Sequence, residues 1–441
     1  MNQDPNSQPH SASRRDFLKA STFAAGAAAL GGLSLARSAH AAGSDLVKIA
    51  LIGCGGRGTG AAANALSTKA NVRLVAMADA FKDSLDASLG ALRKQFKDRV
   101  DVPDERKFVG LDGYQKAMES GVDLVLLCTP PGFRPMQFEA AVKAGKHVFM
   151  EKPLATDAPG IRRIRAANET AKQKKLAVAV GHHLRHERQY RDIVGRIHRG
   201  EIGELKYLRV YFDMGPLWIR PRRPNQTEMQ YQVRNWYYFT WLSGDHIVEQ
   251  HVHDLDVGNW MAREHPIEAQ GMGGRQVRVG KDVGEIFDHH AVEFTYASGV
   301  KMFSYCRQIA GCWDSFSQHA TGTQGSADIV GHGSAVMQVA GQPPKKWRRA
   351  HDGHQIEMDD LLAALAAGKT YNEVDRAADS TMTAILGRMA TYSGKLVTWE
   401  AAVNSQLDLT PKKLAWDGKT LVKPGPDGCY PCAMPGVTKA W

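Results

Sequence analysis

The chain has 441 residues, of which 43% are hydrophobic and 23% are charged, as in an ordinary globular protein. These values exclude a fibre, a disulfide-built mini-protein and a largely disordered chain. The formal net charge is +10, but the basic residues are not gathered into one long run. The charge therefore favours a general attraction for anions, and we expect no nucleic-acid partner.

The first 41 residues have the pattern of a twin-arginine export signal. Arg14 and Arg15 stand before Phe17-Leu18-Lys19, an apolar stretch rich in alanine and glycine follows, and Ala39-His40-Ala41 is a small-x-small cleavage site. The apolar stretch is shorter than the ~20 residues that a membrane-spanning helix needs. The pattern predicts a signal peptide over residues 1–41, export to the periplasm by the twin-arginine machinery, and no membrane anchor after cleavage.

The number of cysteines is compatible with an exported protein but does not indicate which fold it has. The chain has 6 cysteines, too few for a disulfide scaffold of this length. Cys429 and Cys432 directly flank Tyr430-Pro431 in a tail rich in proline and glycine. The sequence leaves open whether these two cysteines form a local disulfide.

Strand and helix patterns alternate over residues 42–175, and this predicts a doubly wound parallel sheet, that is, a Rossmann domain. Near-continuous apolar runs are typical of parallel strands buried on both faces. Such runs occupy residues 46–52, 72–78, 124–128, 147–150 and 177–180.

The pattern changes in the second predicted domain, residues 176–441. Apolar and polar residues alternate over 207–212, 292–296 and 301–305, which predicts strands with one buried face. We expect an α+β domain with an open, mainly antiparallel sheet. Helices are predicted over residues 248–261, 361–367 and 373–391.

A glycine-rich motif follows the first predicted strand. Gly53, Gly55 and Gly58 form G-x-G-x-x-G at a strand-to-helix turn, where the backbone can approach a pyrophosphate at a helix N-terminus. Asp79 ends the second strand, where a carboxylate can accept hydrogen bonds from the adenine-ribose hydroxyls and repel a 2′-phosphate. The combination predicts NAD in preference to NADP. Asp79 can also be interpreted as a cap of the turn.

Four motifs together resemble the Gfo/Idh/MocA family, named for glucose-fructose oxidoreductase and inositol dehydrogenase. The motifs are the glycine fingerprint, Cys128-Thr129-Pro130, Glu151-Lys152-Pro153 and the segment Glu249–Asp256. The resemblance covers about residues 47–403 and implies oxidation of a secondary hydroxyl of a sugar, polyol or glycoside. It also implies a homodimer or homotetramer formed through the open face of the second sheet.

The resemblance assigns roles to particular residues. On a helix, Glu249 and His253 would share one face, and His253 suits a general base because its pKa lies near neutrality. Lys152 would lie beside the reacting hydroxyl. The implied catalytic residues are Lys152, His253 and Glu249. The implied cofactor-binding residues are Gly53, Gly55, Arg57, Gly58, Asp79, Thr129, Pro130, Glu151 and Lys152. The expected substrate-binding residues are Arg185, His182, His183, Tyr238 and Asp256.

Other interpretations remain open at this stage. Glu249, His251 and His253 have a spacing that metal ligands can also show, although nicotinamide chemistry needs no metal, and we expect none. Free NAD is scarce outside the cytoplasm, so an exported member would retain its cofactor tightly. Two alternatives are a redox-neutral NAD-dependent glycoside hydrolase and an exported sugar-binding protein without catalysis.

Overall fold

Apolar runs of the first half form a parallel sheet of six strands in the order β3-β2-β1-β4-β5-β6. The computed structural model describes residues 45–331, 333–348 and 352–441, so the predicted export signal lies outside the described residues. The strands of this sheet are β1 (Val47–Ile52), β2 (Val72–Asp79), β3 (Lys107–Val109), β4 (Leu124–Leu127), β5 (His147–Met150) and β6 (Val178–Val180). The predicted Rossmann architecture is confirmed, and its last strand lies just beyond residue 175.

Helices follow the strands of this sheet, as the βα alternation predicts. They are α1 (Gly56–Ser67), α2 (Lys82–Phe96), α3 (Gly113–Glu119), α4 (Arg134–Lys143) and α5 (Ala158–Gln173). The chain leaves β1 and β4 in opposite directions along the sheet, so the crevice between these two strands is the topological switch point at which such folds bind ligands.

The second sheet has nine strands in the order β14-β13-β12-β11-β7-β10-β9-β8-β15. Its pairs are antiparallel except for β7 and β10, which run parallel. The strands are β7 (Leu205–Met214), β8 (Pro266–Gly274), β9 (His289–Tyr296), β10 (Lys301–Gln308), β11 (Ser315–Gly322), β12 (Gly325–Val330), β13 (Ser334–Val339), β14 (Lys345–Trp347) and β15 (Val397–Thr398). The mainly antiparallel α+β architecture is therefore confirmed.

Most helices of the second half pack on one face of this sheet, and α11 (Gly353–Ala366) packs against the first sheet. They are α6 (Arg188–His198), α7 (Glu228–Arg234), α8 (Thr240–Ser243), α9 (His246–Glu249), α10 (Val252–Ala262), α11 (Gly353–Ala366), α12 (Val374–Ser393) and α13 (Trp399–Val403). Met358 and Leu361 of α11 join the core cluster that contains Leu51 and Leu74 of the first sheet. The two predicted domains therefore share a core, and residues 45–441 form one compact unit.

The predicted helix over residues 248–261 is in fact two helices, so the prediction of one continuous helix is wrong. The backbone N–H of His251 donates to the carbonyl oxygen of His246, five residues back, at 3.1 Å. This spacing inserts one extra residue into the helical ladder, a feature that is frequent at functional sites. The His251 side chain is fully buried, with Nε2 2.7 Å from the Ser304 hydroxyl, and this anchor fixes the break between α9 and α10.

All 6 cysteines lie in the described part of the chain and are free, Cys429 and Cys432 included. Among the described residues, no helix combines the length and the apolar character needed to cross a bilayer.

Candidate active site

A cleft of about 720 Å³ opens at the carboxyl ends of β1, β2, β4 and β5. Residues from the second half close its other side, including Trp218, Tyr237, Glu249 and His253. All of the predicted cofactor-binding residues line it: Gly53, Gly55, Arg57, Gly58, Asp79, Thr129, Pro130, Glu151 and Lys152. The sequence motifs thus converge on one site.

The glycine loop between β1 and α1 has the shape of a dinucleotide cradle. A Cβ at Gly58 would lie 1.9 Å from the carbonyl oxygen of Gly53, and Gly53 itself has a φ of +94°. These two positions accept only glycine without rearrangement. Gly55 and Gly56, by contrast, have open space beside them, so the backbone is free for close approach by a ligand. The loop therefore fits a pyrophosphate at the N-terminus of α1.

Asp79 joins two turns at the edge of this cradle. Its Oδ2 accepts a hydrogen bond from the Cys54 backbone N–H at 2.7 Å, and its Oδ1 accepts one from the Phe81 N–H at 2.8 Å. Burial raises the pKa of this carboxyl above its ordinary value, although both hydrogen bonds favour the charged form. Asp79 thus caps the turns, and its remaining lone pairs can accept hydrogen bonds from the ribose hydroxyls.

Glu151 and Arg57 form a buried ion pair beneath the loop. Arg57 Nε lies 2.9 Å from Glu151 Oε1, and Glu151 is only 4% exposed. A Cβ at Gly181 would lie 2.6 Å from Glu151 Oε2, so glycine at that position makes room for the carboxylate. The pair holds the start of α1 against the end of β5.

Lys152 reaches from the end of β5 to the end of α9. Its Nζ donates to Glu249 Oε1 at 2.9 Å and to the Glu249 main-chain oxygen at 2.5 Å. Both side chains are 10% exposed, so the pair is largely shielded from water. An ammonium group has three N–H donors, which leaves one for a ligand in the cleft.

His253, at the start of α10, faces Lys152 within a group of imidazoles. Its ring centroid lies 4.9 Å from that of His183, which in turn lies 4.0 Å from that of His354 on α11. Burial, followed by the positive charge of Lys152 and the neighbouring histidines, holds the pKa of His253 well below its ordinary value. Burial and Arg57 lower the pKa of His354 to about 4. At neutral pH His253 is therefore uncharged and able to accept a proton.

Four of the expected substrate-binding residues do not line the cleft. Asp256 is 1% exposed and is neutralised by Arg185, whose Nε lies 2.7 Å from Oδ2. His182 Nδ1 lies 3.2 Å from the same carboxylate. The Tyr238 hydroxyl donates to the Leu217 carbonyl at 3.1 Å. These side chains serve a buried charge or the backbone, and His183 alone of the five expected residues lines the cleft.

A polar and aromatic contact covers the Asp79 end of the cleft. Arg234 from α7 pairs with Asp83 at 2.9 and 3.2 Å, and its guanidinium lies 3.9 Å from the Phe81 ring centroid. Trp416, from the C-terminal segment, lies 5.4 Å from Phe81 between ring centroids. We call Phe81, Asp83, Arg234 and Trp416 the clamp. It joins the β2–α2 turn to two segments of the second half.

Comparison with known proteins agrees with this geometry. The sequence model described as "Oxidoreductase family, NAD-binding Rossmann fold" (GFO_IDH_MocA) matches residues 47–182, and the GFO/IDH/MocA C-terminal domain matches residues 190–328. The chain belongs to the Gfo/Idh/MocA family. Its first half is therefore an NAD-binding Rossmann domain, and the loop geometry above fits that cofactor.

Relatives of known activity lie at low identity. An inositol 2-dehydrogenase of Rhizobium meliloti is 27% identical over 56% of this chain and 63% of its own length. An inositol 2-dehydrogenase of Acidiphilium cryptum is 28% identical over 61% of this chain and 74% of its own length. Among solved structures, an aldose-aldose oxidoreductase from Caulobacter crescentus has a TM-score of 0.63 at 17% identity and covers 80% of this chain and 99% of its own. That likeness concerns the fold.

Some residues of this Gfo/Idh/MocA site carry no local sequence signal. His354 lies a hundred residues beyond His253 and reaches the cleft because α11 packs against the first sheet. The clamp residue Arg234 ends an ordinary short helix with a capping box. Only the fold brings these two side chains to the nucleotide edge, so sequence spacing could not have identified them.

The position of Asp79 generates a prediction about nucleotide choice. Asp79→Asn should weaken NAD binding by about tenfold and weaken NADP binding less, because the change removes the charge that repels a 2′-phosphate. Titration of nucleotide-free protein with each cofactor measures the two affinities. Equal losses for both would mean that Asp79 acts only as a cap of the two turns.

Proposed function

We propose that this protein oxidises a secondary hydroxyl of a sugar or cyclic polyol with NAD that stays bound between turnovers, and that the carbonyl group of a second sugar reoxidises the bound NADH in the same cleft. The observation that carries the proposal is the convergence of Lys152, Glu249 and His253 with the glycine loop in one cleft. Two relatives that are 27% and 28% identical over the aligned regions are inositol 2-dehydrogenases, which favours a polyol or sugar ring. The relatives support neither the glycoside hydrolase nor the non-catalytic alternative.

The chemistry divides between cofactor and protein. When bound, NAD supplies the two-electron acceptor for the substrate carbon. His253, uncharged at neutral pH, accepts the proton of the substrate hydroxyl as a general base. Lys152 donates its remaining N–H to the same oxygen and stabilises the negative charge that develops there. Glu249 holds the ammonium group in place through two hydrogen bonds.

Removing these groups should separate chemistry from binding. His253→Ala should lower kcat by ~10²–10⁴-fold, the range typical of general acid-base groups, and leave NAD content unchanged. Removing only one partner of a buried ion pair costs about 3–5 kcal/mol of stability. Lys152 is therefore best tested as Lys152→Met combined with Glu249→Gln, which leaves no uncompensated charge.

Steady-state kinetics and nucleotide content of the same preparations provide the measurement. Lys143→Ala, on the exposed face of α4, is the control and should behave as wild type. Unchanged turnover in His253→Ala would remove this residue from the mechanism.

The clamp supports retention of the cofactor. It covers the Asp79 end of the cleft and joins three segments, so release of a nucleotide requires their separation. A cation–π contact contributes roughly 0.5–2 kcal/mol. Arg234→Ala should therefore speed NAD dissociation by about 3- to 30-fold, measured by displacement with labelled NAD.

A matched control is available for this prediction. Arg165 pairs with Asp379 at 2.7 Å and does not line the cleft, so Arg165→Ala removes an arginine–aspartate pair without touching the clamp. Equal dissociation rates in wild type and Arg234→Ala would mean that retention does not depend on the clamp.

We also propose that the protein is exported to the periplasm by the twin-arginine route. The order of Arg14, Arg15, the apolar stretch and the Ala39-His40-Ala41 site supports this, and these residues lie outside the described part of the chain. Replacing both arginines by lysine should leave the precursor in the cytoplasm, as cell fractionation and immunoblotting would reveal. Unaltered export of the double variant would exclude the route.

A further inference from the structure

Three ligand-type side chains meet in the core of the second half, beneath the segment that carries Glu249. They are Asp245 and His246 at the start of α9 and His290 on β9, and all are at most 2% exposed. One potential ligand atom from each lies within 4.8 Å of the others. None of the three is among the residues that line the active-site cleft.

The hydrogen bonds of His290 fix the orientation of its ring. Its Nδ1 lies 2.9 Å from Thr391 Oγ1, and this hydroxyl itself donates to main-chain carbonyl oxygens of Gly387 and Arg388 at 3.1 Å. Thr391 therefore accepts a hydrogen bond from Nδ1–H, and Nε2 faces Asp245 Oδ2 at 3.4 Å. Metal-ligating histidines are held in this way, with one ring nitrogen fixed by a hydrogen bond and the other free to coordinate.

His246 supplies a second, independent observation. It is fully buried, and neither of its ring nitrogens has a hydrogen-bond partner. Its Nε2 lies 3.9 Å from Asp245 Oδ1, and its ring centroid lies 4.8 Å from that of His290. Buried polar groups without partners are rare in folded proteins. An ion pair between Asp245 and His290 would leave both ring nitrogens of His246 without a partner, whereas a cation among the three side chains would bind one of them.

The Asp245 carboxylate is held ready for such a role. Its Oδ2 accepts hydrogen bonds from the Tyr392 hydroxyl at 2.6 Å and the Phe287 N–H at 2.9 Å, and its Oδ1 accepts one from the His246 N–H at 2.5 Å. A carboxylate offers about four lone-pair sites, so one remains for a metal. Asp245 also has a φ of +75°, a left-handed conformation that the surrounding contacts maintain.

We propose that Asp245, His246 and His290 bind one zinc ion. Two imidazoles and a carboxylate are a donor set that zinc accepts, and ligand bonds of about 2.0–2.2 Å place tetrahedral ligand atoms roughly 3.4 Å apart. His290 Nε2 lies 3.4 Å from Asp245 Oδ2 and His246 Nε2 lies 3.9 Å from Asp245 Oδ1, so side-chain rotations are needed to bring one atom of each residue to this value. The sequence expectation of no metal considered other residues, namely Glu249, His251 and His253.

The zinc ion would position the catalytic segment rather than take part in the chemistry. It would tie the start of α9, whose last residue is Glu249, to β9 and, through the Asp245–Tyr392 bond, to α12. Glu249 in turn holds Lys152.

Metal analysis of the mature protein tests the proposal without reference to activity. Tag-free protein, dialysed against metal-free buffer, should contain about one zinc per chain by inductively coupled plasma mass spectrometry. His246→Gln and His290→Gln should each lose at least about four-fifths of that zinc. His289→Gln should retain it, because that side chain is 41% exposed and pairs with Asp288.

Two further measurements cover the case in which these variants fail to fold. Cobalt-loaded wild type should show the visible absorption bands of a tetrahedral site, and a zinc chelator should lower the Tm of wild type and of His289→Gln alike. Wild-type protein that folds without stoichiometric metal and takes up none from zinc chloride would overturn the proposal, leaving an Asp245–His290 pair. Undiminished zinc in folded His246→Gln would overturn it equally.

Discussion

The ammonium group of Lys152 connects the parallel sheet to the segment that ends at Glu249, and the geometry of the cleft depends on this contact. Lys152 follows β5, whereas Glu249 ends α9, so the ion pair crosses between the two halves of the chain. Because both side chains are 10% exposed, neither charge would be stable there without the other. The pair fixes the ammonium beside His253 and keeps the charge at the place where an alkoxide would form.

Charge in the cleft is arranged so that His253 and His354 stay neutral. Arg57 and Lys152 are each matched by a carboxylate, Glu151 and Glu249 respectively. Burial and the charge of Glu151 raise the pKa of Glu357 well above its ordinary value, so this buried carboxyl adds no second negative charge beside Glu151. Burial and the charge of Lys152 hold the pKa of His253 well below its ordinary value, and burial and Arg57 lower the pKa of His354 to about 4. A proton that His253 takes from the substrate is therefore readily released.

The features that sequence predicts are those set by neighbouring residues. The glycine loop, Asp79 and Lys152 each lie at the carboxyl end of a strand. Parallel strands bring these ends to one edge of the sheet, so the convergence of the three follows from the order of elements. The fold class is also predictable, because the spacing of apolar residues along each segment indicates which of its faces are buried.

The remaining features depend on tertiary contacts. Arg185 and Asp256 match a ligand-site pattern, but the burial of Asp256 requires a counter-charge, and Arg185 is drawn away from the cleft to supply it. The break between α9 and α10 follows from the hydrogen bond that anchors His251 to Ser304 on β10. His246 and His290 meet only because α9 packs beside β9. No local pattern contains this information.

The proposed retention of the nucleotide rests on the glycine loop, the clamp and the Lys152–Glu249 pair. The most direct measurement is to incubate purified mature protein with inositols and sugars, denature it, and identify the released nucleotide without ever adding any. We expect about one equivalent of NAD per chain, released in reduced form after incubation with a substrate. A protein that releases no nucleotide and binds neither NAD nor NADP when they are supplied would contradict both the cofactor site and the proposed reaction.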